Sequence, residues 1–232
     1  MIRQTVYAVS ENTAKPIYTG SLYEIEDGVF KIIAIDGYRM AIRSENVDSE
    51  SKNRFVVPGK TQHEVLKLLT DDEENTEIII GQRHITFKIK NYRIISRLIE
   101  GTFIEYRSAI PKETKTEVVI NTRTIIDAVE RMSLLNNDRI QSPVRCIFSD
   151  DEIKLSCTSA VGRANDVISV PIIGESVEIG FNNRYLLDAL KNADTDEIKL
   201  ILNGSLTAMI VKPVKGDSYL SIVVPMRLAN EN

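Results

Sequence analysis

The sequence contains no apolar segment long enough to cross a bilayer, because no hydrophobic run approaches the roughly 20 residues that a membrane helix needs. Its first residues, MIRQTVYAVSENTAK, also lack the continuous apolar stretch and the small-residue cleavage site of a secretory signal. These two absences argue against a membrane protein and against export. We therefore expect a protein of the cytoplasm.

Cysteine and histidine are scarce, with two residues of each among 232. Cys146 and Cys157 flank a predicted turn and could be neighbours across a hairpin, although isolated cytosolic cysteines are mostly buried small hydrophobes. His63 and His84 show no spacing typical of a metal site, and VPGKTQ lacks the first glycine of a phosphate-binding loop. The sequence therefore predicts no enzyme, no metal and no cofactor.

The composition is that of an ordinary globular protein, with 43% hydrophobic and 27% charged residues. A formal net charge of -4 argues against a surface that is basic all over. It is compatible with a local basic surface for nucleic acid, because affinity for phosphates depends on where lysine and arginine lie.

Most of the chain has the pattern of short strands, rich in β-branched residues and separated by turn residues. Apolar residues at spacings of three and four predict helices in four other segments. These helical segments are 1–10, 60–71, 122–137 and 183–194. The pattern favours an α+β fold with few helices and many antiparallel strands.

The order of these elements repeats along the chain. The segment 63–89 is echoed by 185–211 at an offset of about 120 residues, and 23–42 is echoed by 146–168. The sequence thus predicts two copies of one domain, covering residues 1–112 and 113–232. Pro111 and the charged residues around it suit an exposed linker.

The segment IIAIDGYRMAI, residues 32–42, is an apolar run interrupted by Asp-Gly-Tyr-Arg. Asp-Gly is typical of a hairpin turn, yet the apolar residues resume at once and leave little room for two complete strands. Two interpretations remain open. Asp36 and Gly37 form an ordinary turn with Met40 in the core, or Gly37 shapes the rim of a binding surface.

Four stretches together carry a family resemblance: IYTGSLYEIEDGVFKIIAIDGYRMA, RLIEGTFIEYRSAIP, IGFNNRYLLDAL and IVVPMRL. In this order they closely resemble the second and third domains of the bacterial β sliding clamp, the DNA polymerase III beta subunit. The resemblance implies a DNA-clamp fold with antiparallel sheets outside and helices on the inner face of a ring. It implies a non-enzymatic processivity factor that tethers the polymerase to duplex DNA without reading its sequence.

The family has three such domains per chain and forms head-to-tail homodimers, and the absence of a first domain here puts that ring in doubt. The resemblance also implies that the chain begins inside the first helix of the second domain, one strand late. Met1 would then be an internal residue of a fragment. A sheet without its edge strand predicts self-association or fraying near Met1.

The resemblance implies a hydrophobic pocket between the two domains that docks peptides of the polymerase alpha subunit, the clamp loader and other proteins with clamp-binding motifs. The matching residues are Thr19, Gly37, Tyr38, Arg39, Met40, Ile104, Ser108, Ala109, Ile222, Val224, Pro225, Met226 and Arg227. Ile35, Ile104 and Ser108 stand where relatives often carry threonine, proline and arginine. This predicts a more apolar and less basic pocket edge.

Sequence-independent DNA binding needs lysine and arginine near phosphates, and the resemblance directs these to the inner helices. The candidates are Arg3, Tyr18, Lys60, Lys67, Arg123, Arg131, Arg184 and Lys191. For each, a merely solvated helix face is the alternative. Acidic residues on the outer sheets would reconcile a basic interior with the negative net charge.

Leu134 and Leu135 match family positions that pack against a neighbouring chain. They are either an exposed apolar patch, or one of them closes the core beneath its own helix. A second functional reading also remains open, in which the chain is a clamp fragment that binds proteins without encircling DNA. Salt-dependent retention on circular DNA would separate the two readings.

Overall fold

The computed structural model describes residues 1–70, 75–135 and 142–228. The chain forms two compact units, Met1–Glu105 and Tyr106–Asn232, called unit 1 and unit 2. The sequence predicted the domain boundary between residues 112 and 113. This position lies inside the stretch 110–115, which contains no helix or strand.

Within residues 1–70 and 75–105, unit 1 contains two helices and two groups of antiparallel strands. The helices are α1 (Arg3–Val6) and α2 (Gly59–Leu68), and a 3-10 turn covers Pro16–Thr19. The strands are β1 (Gly20–Glu26), β2 (Val29–Ile35), β3 (Arg39–Asn46), β4 (Asn53–Pro58), β5 (Glu77–Ile80), β6 (His84–Ile89) and β7 (Tyr92–Arg97). They pair in the orders β3-β2-β1-β4 and β5-β6-β7.

Unit 2 repeats this plan with one strand ahead of its first helix. A 3-10 turn covers Tyr106–Ala109, and the helices are α3 (Thr122–Ser133) and α4 (Asn183–Lys191). The strands are β8 (Thr116–Asn121), β9 (Val144–Ser149), β10 (Glu152–Ser159), β11 (Gly162–Ser169), β12 (Ile172–Gly174), β13 (Val177–Phe181), β14 (Glu197–Leu202), β15 (Met209–Pro213) and β16 (Tyr219–Val223). They pair in the orders β12-β8-β14-β15-β16 and β11-β10-β9-β13.

The helices of unit 2 begin at side-chain caps. Asn121 Oδ1 accepts from the Thr124 amide at 3.0 Å, and Asn182 Oδ1 accepts from the Tyr185 amide at 3.2 Å. Such caps satisfy backbone donors that have no partner within the helix. Each helix therefore starts directly after the strand that precedes it.

The first predicted helix is much shorter than the sequence indicated. Helix α1 ends at Val6, whereas the apolar spacing predicted a helix over 1–10. Ile2 provides no side-chain cap, and β-branched residues such as Thr5 and Val6 disfavour helix extension. The Ser10 amide instead bonds the Tyr18 carbonyl, which carries the chain into the 3-10 turn.

The expectation that residues 32–42 leave little room for two complete strands is wrong. Strands β2 and β3 form a complete antiparallel pair from Val29↔Asn46 to Ile35↔Met40. The turn between them needs only residues 36–38, because side-chain hydrogen bonds of Asp36 close it.

Among the described helices, none is long and apolar enough to span a membrane.

Both cysteines lie in the hydrophobic core of unit 2 as free thiols. Cys146 on β9 lies opposite Leu155 of β10, and Cys157 lies opposite Ala164 of β11. Burial raises the pKa of the Cys146 thiol to about 12, because the thiolate would lose its hydration. The two cysteines are small hydrophobic residues of the core, which agrees with the expectation for isolated cytosolic cysteines.

Candidate functional site

The turn between β2 and β3 is built around the carboxylate of Asp36. Oδ1 accepts from the amides of Tyr38 at 2.8 Å and Arg39 at 3.0 Å, while Oδ2 accepts from Arg39 Nε at 2.9 Å. Gly37 adopts a φ of +96°, which favours glycine. The result is a fixed turn that presents Tyr38 with 61% of its surface exposed.

Arg39 and Met40, by contrast, are buried. The Arg39 guanidinium carbon lies 5.5 Å from the centre of the Tyr7 ring, so the side chain is held between a carboxylate and an aromatic face. Met40 lies opposite Ile35 at the end of the strand pair. Its burial agrees with the interpretation of Met40 as a core residue, while Gly37 and Tyr38 are the exposed part of the turn.

Thr19 and Ile104 belong to two segments of unit 1 that approach each other through aromatic rings. Thr19 ends the 3-10 turn and donates from Oγ1 to the Pro16 carbonyl at 2.7 Å. The neighbouring Tyr18 ring meets the Phe103 ring edge-on, with centroids 5.8 Å apart. This contact fixes the segment that carries the exposed Ile104.

The peptide-binding candidates in unit 2 lie in the 3-10 turn, in β16 and in the segment after β16. Ser108 and Ala109 are exposed in the turn, whereas Ile222 is buried in β16. The segment that follows contains Val224, Pro225, Met226 and Arg227. It is held over β13 because the Met226 amide donates to the Gly180 carbonyl at 2.8 Å.

Gly180 is a residue that sequence reasoning missed. A Cβ built on Gly180 would lie 2.6 Å from Leu228 Cδ2 and 3.0 Å from the Met226 carbonyl oxygen. A larger residue at position 180 would therefore force Leu228 to move and would crowd the Met226 carbonyl, so glycine favours the close approach of segment 224–228 to β13. The signal in the sequence is a lone glycine inside an apolar strand, just before the Asn182 cap.

Four of the proposed DNA-binding cations form ion pairs with carboxylates of the same unit. Lys67 bonds Glu64 at 2.8 Å, Arg123 bonds Asp127 at 2.8 Å, and Lys191 bonds Glu130 at 2.6 Å. Arg131 Nε bonds Asp166 Oδ2 at 2.8 Å. The ion pairs with Lys67 and Lys191 lower the pKa of Glu64 and Glu130 through hydrogen bonding and charge.

The other proposed DNA-binding residues differ in exposure. Arg3 lies in α1, Lys60 in the first turn of α2, and Arg184 in the first turn of α4, and all three are exposed. Tyr18 is half-buried, with Lys15 Nζ 5.9 Å from its ring centre. The helices thus carry exposed cations, as the alternative of a solvated face also predicts.

The two leucines after α3 differ in their surroundings. Leu134 is 82% exposed, whereas Leu135 packs against the core of unit 2. Leu135 therefore agrees with the interpretation that one leucine closes the core beneath its own helix, while Leu134 alone is exposed. Residues 136 and 137, which the sequence assigned to the same helix, lie outside the described residues.

Across 1–70, 75–135 and 142–228, no three residues of the metal-binding types lie close enough to hold an ion. His63 Nδ1 lies 2.8 Å from the Gly59 carbonyl oxygen within α2, and His84 is exposed at the start of β6. A cavity of about 420 Å³ in unit 1 lies between β4 and residues 98–103, and no predicted peptide-binding residue lines it.

Comparison with known proteins finds two family models in order along the chain. Residues 1–105 match the central domain of the DNA polymerase III beta subunit, and residues 107–227 match its C-terminal domain. The beta sliding clamp of Bacillus subtilis is 32% identical over 232 residues, covering 98% of this chain and 61% of the relative.

Comparison with solved structures agrees with the two family models. A crystal structure of the DNA polymerase sliding clamp from Bacillus subtilis superposes with a TM-score of 0.95 at 31% identity, covering 98% of this chain and 61% of that one. A putative DNA polymerase III beta subunit from Eubacterium rectale superposes with a TM-score of 0.93 at 30% identity, covering 97% and 61%. The chain spans about three fifths of the length of these relatives. Because the family models and the fold match through both units, the chain belongs to the DNA polymerase III beta subunit family, the bacterial β sliding clamps.

Proposed function

We propose that this chain is a DNA polymerase processivity factor, which tethers polymerase III to duplex DNA and docks replication proteins through a hydrophobic peptide-binding surface. The observation that supports this most directly is the match to clamp structures across both units at a TM-score of 0.95. In this proposal the chain acts in the cytoplasm without catalysis. Its partners are duplex DNA, the polymerase alpha subunit, the clamp loader and other proteins with clamp-binding motifs.

The turn at 36–38 suits the docking role because its shape does not depend on a partner. Three hydrogen bonds to Asp36 hold the backbone before any peptide arrives, so little conformational entropy is lost on binding. Tyr38 then offers a large amphipathic ring at an exposed position. In unit 2, Met226 offers a flexible thioether that adapts to related peptides.

We expect Tyr38→Ala and Met226→Ala each to weaken binding of a labelled glutamine-leucine-phenylalanine type peptide by about tenfold, since each removes a large apolar contact. Fluorescence anisotropy measures the dissociation constant. The matched control is Tyr92→Ala, because Tyr92 lies on β7 of unit 1 and is 60% exposed. Equal weakening by the control, or unchanged binding in both site variants, would contradict the docking surface.

DNA tethering requires an attraction that is weak and blind to sequence. Exposed cations at helix starts, such as Lys60 in α2 and Arg184 in α4, supply this through phosphate contacts. We therefore propose that the exposed Arg3, Lys60 and Arg184 contribute to this attraction.

The double variant Lys60→Ala, Arg184→Ala is expected to bind duplex DNA more weakly and to reduce the slope of log affinity against log salt by about two. Titrations at several salt concentrations measure this slope. Lys215→Ala is the control, since Lys215 is exposed in the turn between β15 and β16. If the double variant keeps the parent slope, the DNA contact does not use these helix starts.

A head-to-tail contact with another chain remains part of the proposal, and the exposed Leu134 is its candidate residue. The alternative is a module that docks proteins without encircling DNA. Retention on nicked circular DNA, with release after linearisation, would support encirclement. Peptide binding without such retention would leave the docking role alone.

A further inference from the structure

The turn that joins β14 to β15 begins with Asn203-Gly204, the only Asn-Gly pair in the sequence. Asn-Gly is common in two-residue hairpin turns, but this connection runs from residue 203 to residue 208. A tight hairpin turn therefore does not account for the pair. Gly204 has a φ of +97°, and a Cβ built on it would meet nothing within 4 Å. The space around Gly204 is open, and it has no side chain of its own to shield its backbone nitrogen.

The side-chain amide of Asn203 is held through its nitrogen alone. Nδ2 donates to Glu113 Oε2 at 3.3 Å, whereas Oδ1 is buried and accepts no hydrogen bond from the described part of the chain. A buried oxygen without a donor costs free energy. The contact with Glu113 joins the turn to the segment that leads into β8, where the Lys115 amide donates to the Leu202 carbonyl at 3.0 Å. Asn203 therefore ties together two parts of unit 2 that lie 90 positions apart in the sequence.

We propose that Asn203 is a site of covalent self-modification, in which its side-chain amide is lost and the turn acquires a negative charge. The Gly204 nitrogen, once it has lost its proton, attacks Cγ of Asn203. A C–N bond forms, the Cγ–Nδ2 bond breaks, and ammonia leaves with a proton taken from water. Water then opens the cyclic imide at either of its two carbonyl carbons, which leaves aspartate or isoaspartate at position 203.

Glycine at position 204 is what distinguishes this asparagine from others in the chain. The backbone nitrogen of the following residue must reach the side-chain carbon, and a side chain on that residue hinders the approach. Asn12 is the comparison, because it is exposed in a loop but precedes the β-branched Thr13. Its Oδ1 also accepts from the Ala14 amide at 2.9 Å. Asn203 is therefore expected to convert faster than Asn12.

The modification changes how the turn interacts with Glu113. The amide of Asn203 donates to the Glu113 carboxylate, whereas a carboxylate at position 203 has only acceptors and carries the same charge. The modified turn therefore loses this hydrogen bond and repels Glu113. The segment that leads into β8 is then held less firmly. The change persists, because the ammonia is lost to the solvent.

Peptide mass spectrometry after incubation at neutral and at mildly alkaline pH measures the conversion, because each converted residue changes the mass of its peptide. Residue 203 should convert at least about tenfold faster than Asn12 in the same digest. Conversion should be faster at the higher pH, since the attacking nitrogen must lose a proton. Gly204→Ala should slow it by about tenfold. Equal rates at positions 203 and 12, or an unchanged rate in Gly204→Ala, would overturn the proposal.

The consequence for the segment before β8 is tested with Asn203→Asp, which has the product side chain from the start. Hydrogen exchange of peptides covering 110–121 should be about tenfold faster than in the parent. In a Glu113→Gln background the same substitution should have little effect, because the repulsion needs both carboxylates. Asn12→Asp is the control, since it adds the same charge in unit 1. Equal acceleration in the Glu113→Gln background, or in the control, would contradict the proposed repulsion.

Discussion

Replacing Gly174 by alanine is expected to destabilise unit 2 by about 2–4 kcal/mol. Gly174 adopts a φ of +113°, which disfavours every residue with a side chain. A Cβ at this position would also lie deep inside the van der Waals surface of the Lys115 carbonyl oxygen. The Thr116 hydroxyl donates to the Glu175 carbonyl at 2.6 Å, and the Glu175 amide donates to the Lys115 carbonyl at 3.0 Å. These two hydrogen bonds prevent the chain from moving away.

The control separates the steric clash from the backbone cost. Gly204 has a similar φ of +97°, and a Cβ there would meet nothing within 4 Å. Gly204→Ala should therefore cost only about 1–2 kcal/mol, the cost of a left-handed conformation. If both variants lose the same stability, the steric clash between a Cβ at residue 174 and the Lys115 carbonyl oxygen does not contribute to the loss.

The free cysteines provide a measurement confined to unit 2. Both thiols are buried in its core, and the raised pKa of Cys146 keeps that thiol protonated at neutral pH. A thiol reagent therefore reacts only when the core opens. The rate of labelling under native conditions should rise about 30-fold or more in Gly174→Ala and much less in Gly204→Ala.

Asp36→Ala is expected to destabilise the β2-β3 hairpin by about 2–4 kcal/mol. The substitution removes the acceptor for two backbone amides and the carboxylate that faces the buried Arg39 guanidinium. Hydrogen exchange of peptides covering 29–46 measures the loss locally. Asp36→Asn should lose less, because its amide oxygen can still accept from the Tyr38 and Arg39 amides.

Asp48→Ala is the matched control for Asp36→Ala, since Asp48 is exposed after β3 in the same unit. It should leave the exchange of β2 and β3 unchanged. The Asp36→Ala variant should also bind the clamp-type peptide more weakly, because Tyr38 loses its fixed position. Unaltered exchange in Asp36→Ala would show that the strands hold the turn without the carboxylate.

Much of the fold was predictable from local sequence. The strands of unit 1 and the helices α2, α3 and α4 follow patterns of alternation and of three-and-four spacing, and Asn121 and Asn182 precede the last two. The duplication was visible because the same elements recur at a constant offset. The resemblance to β clamps is confirmed by both family models.

The sequence did not predict features that depend on contacts of individual side chains rather than on the local pattern of apolar and polar residues. The hairpin at 36–38 was misjudged because its turn is closed by a carboxylate rather than by length alone. The ion pair of Arg131 with Asp166 joins residues 35 positions apart, and no spacing rule predicts it. The close approach of Leu228 to Gly180 has the same origin, since it becomes visible only after the chain has folded.

The ion pairs of Lys67, Arg123, Arg131 and Lys191 bear on the proposed DNA tethering. Each carboxylate acts as a counterion that is covalently part of the protein. Under that proposal, a DNA phosphate that contacts one of these cations would displace this internal counterion, and the carboxylate would return when the phosphate leaves. Each such contact would then exchange one anion for another, which would keep it weak.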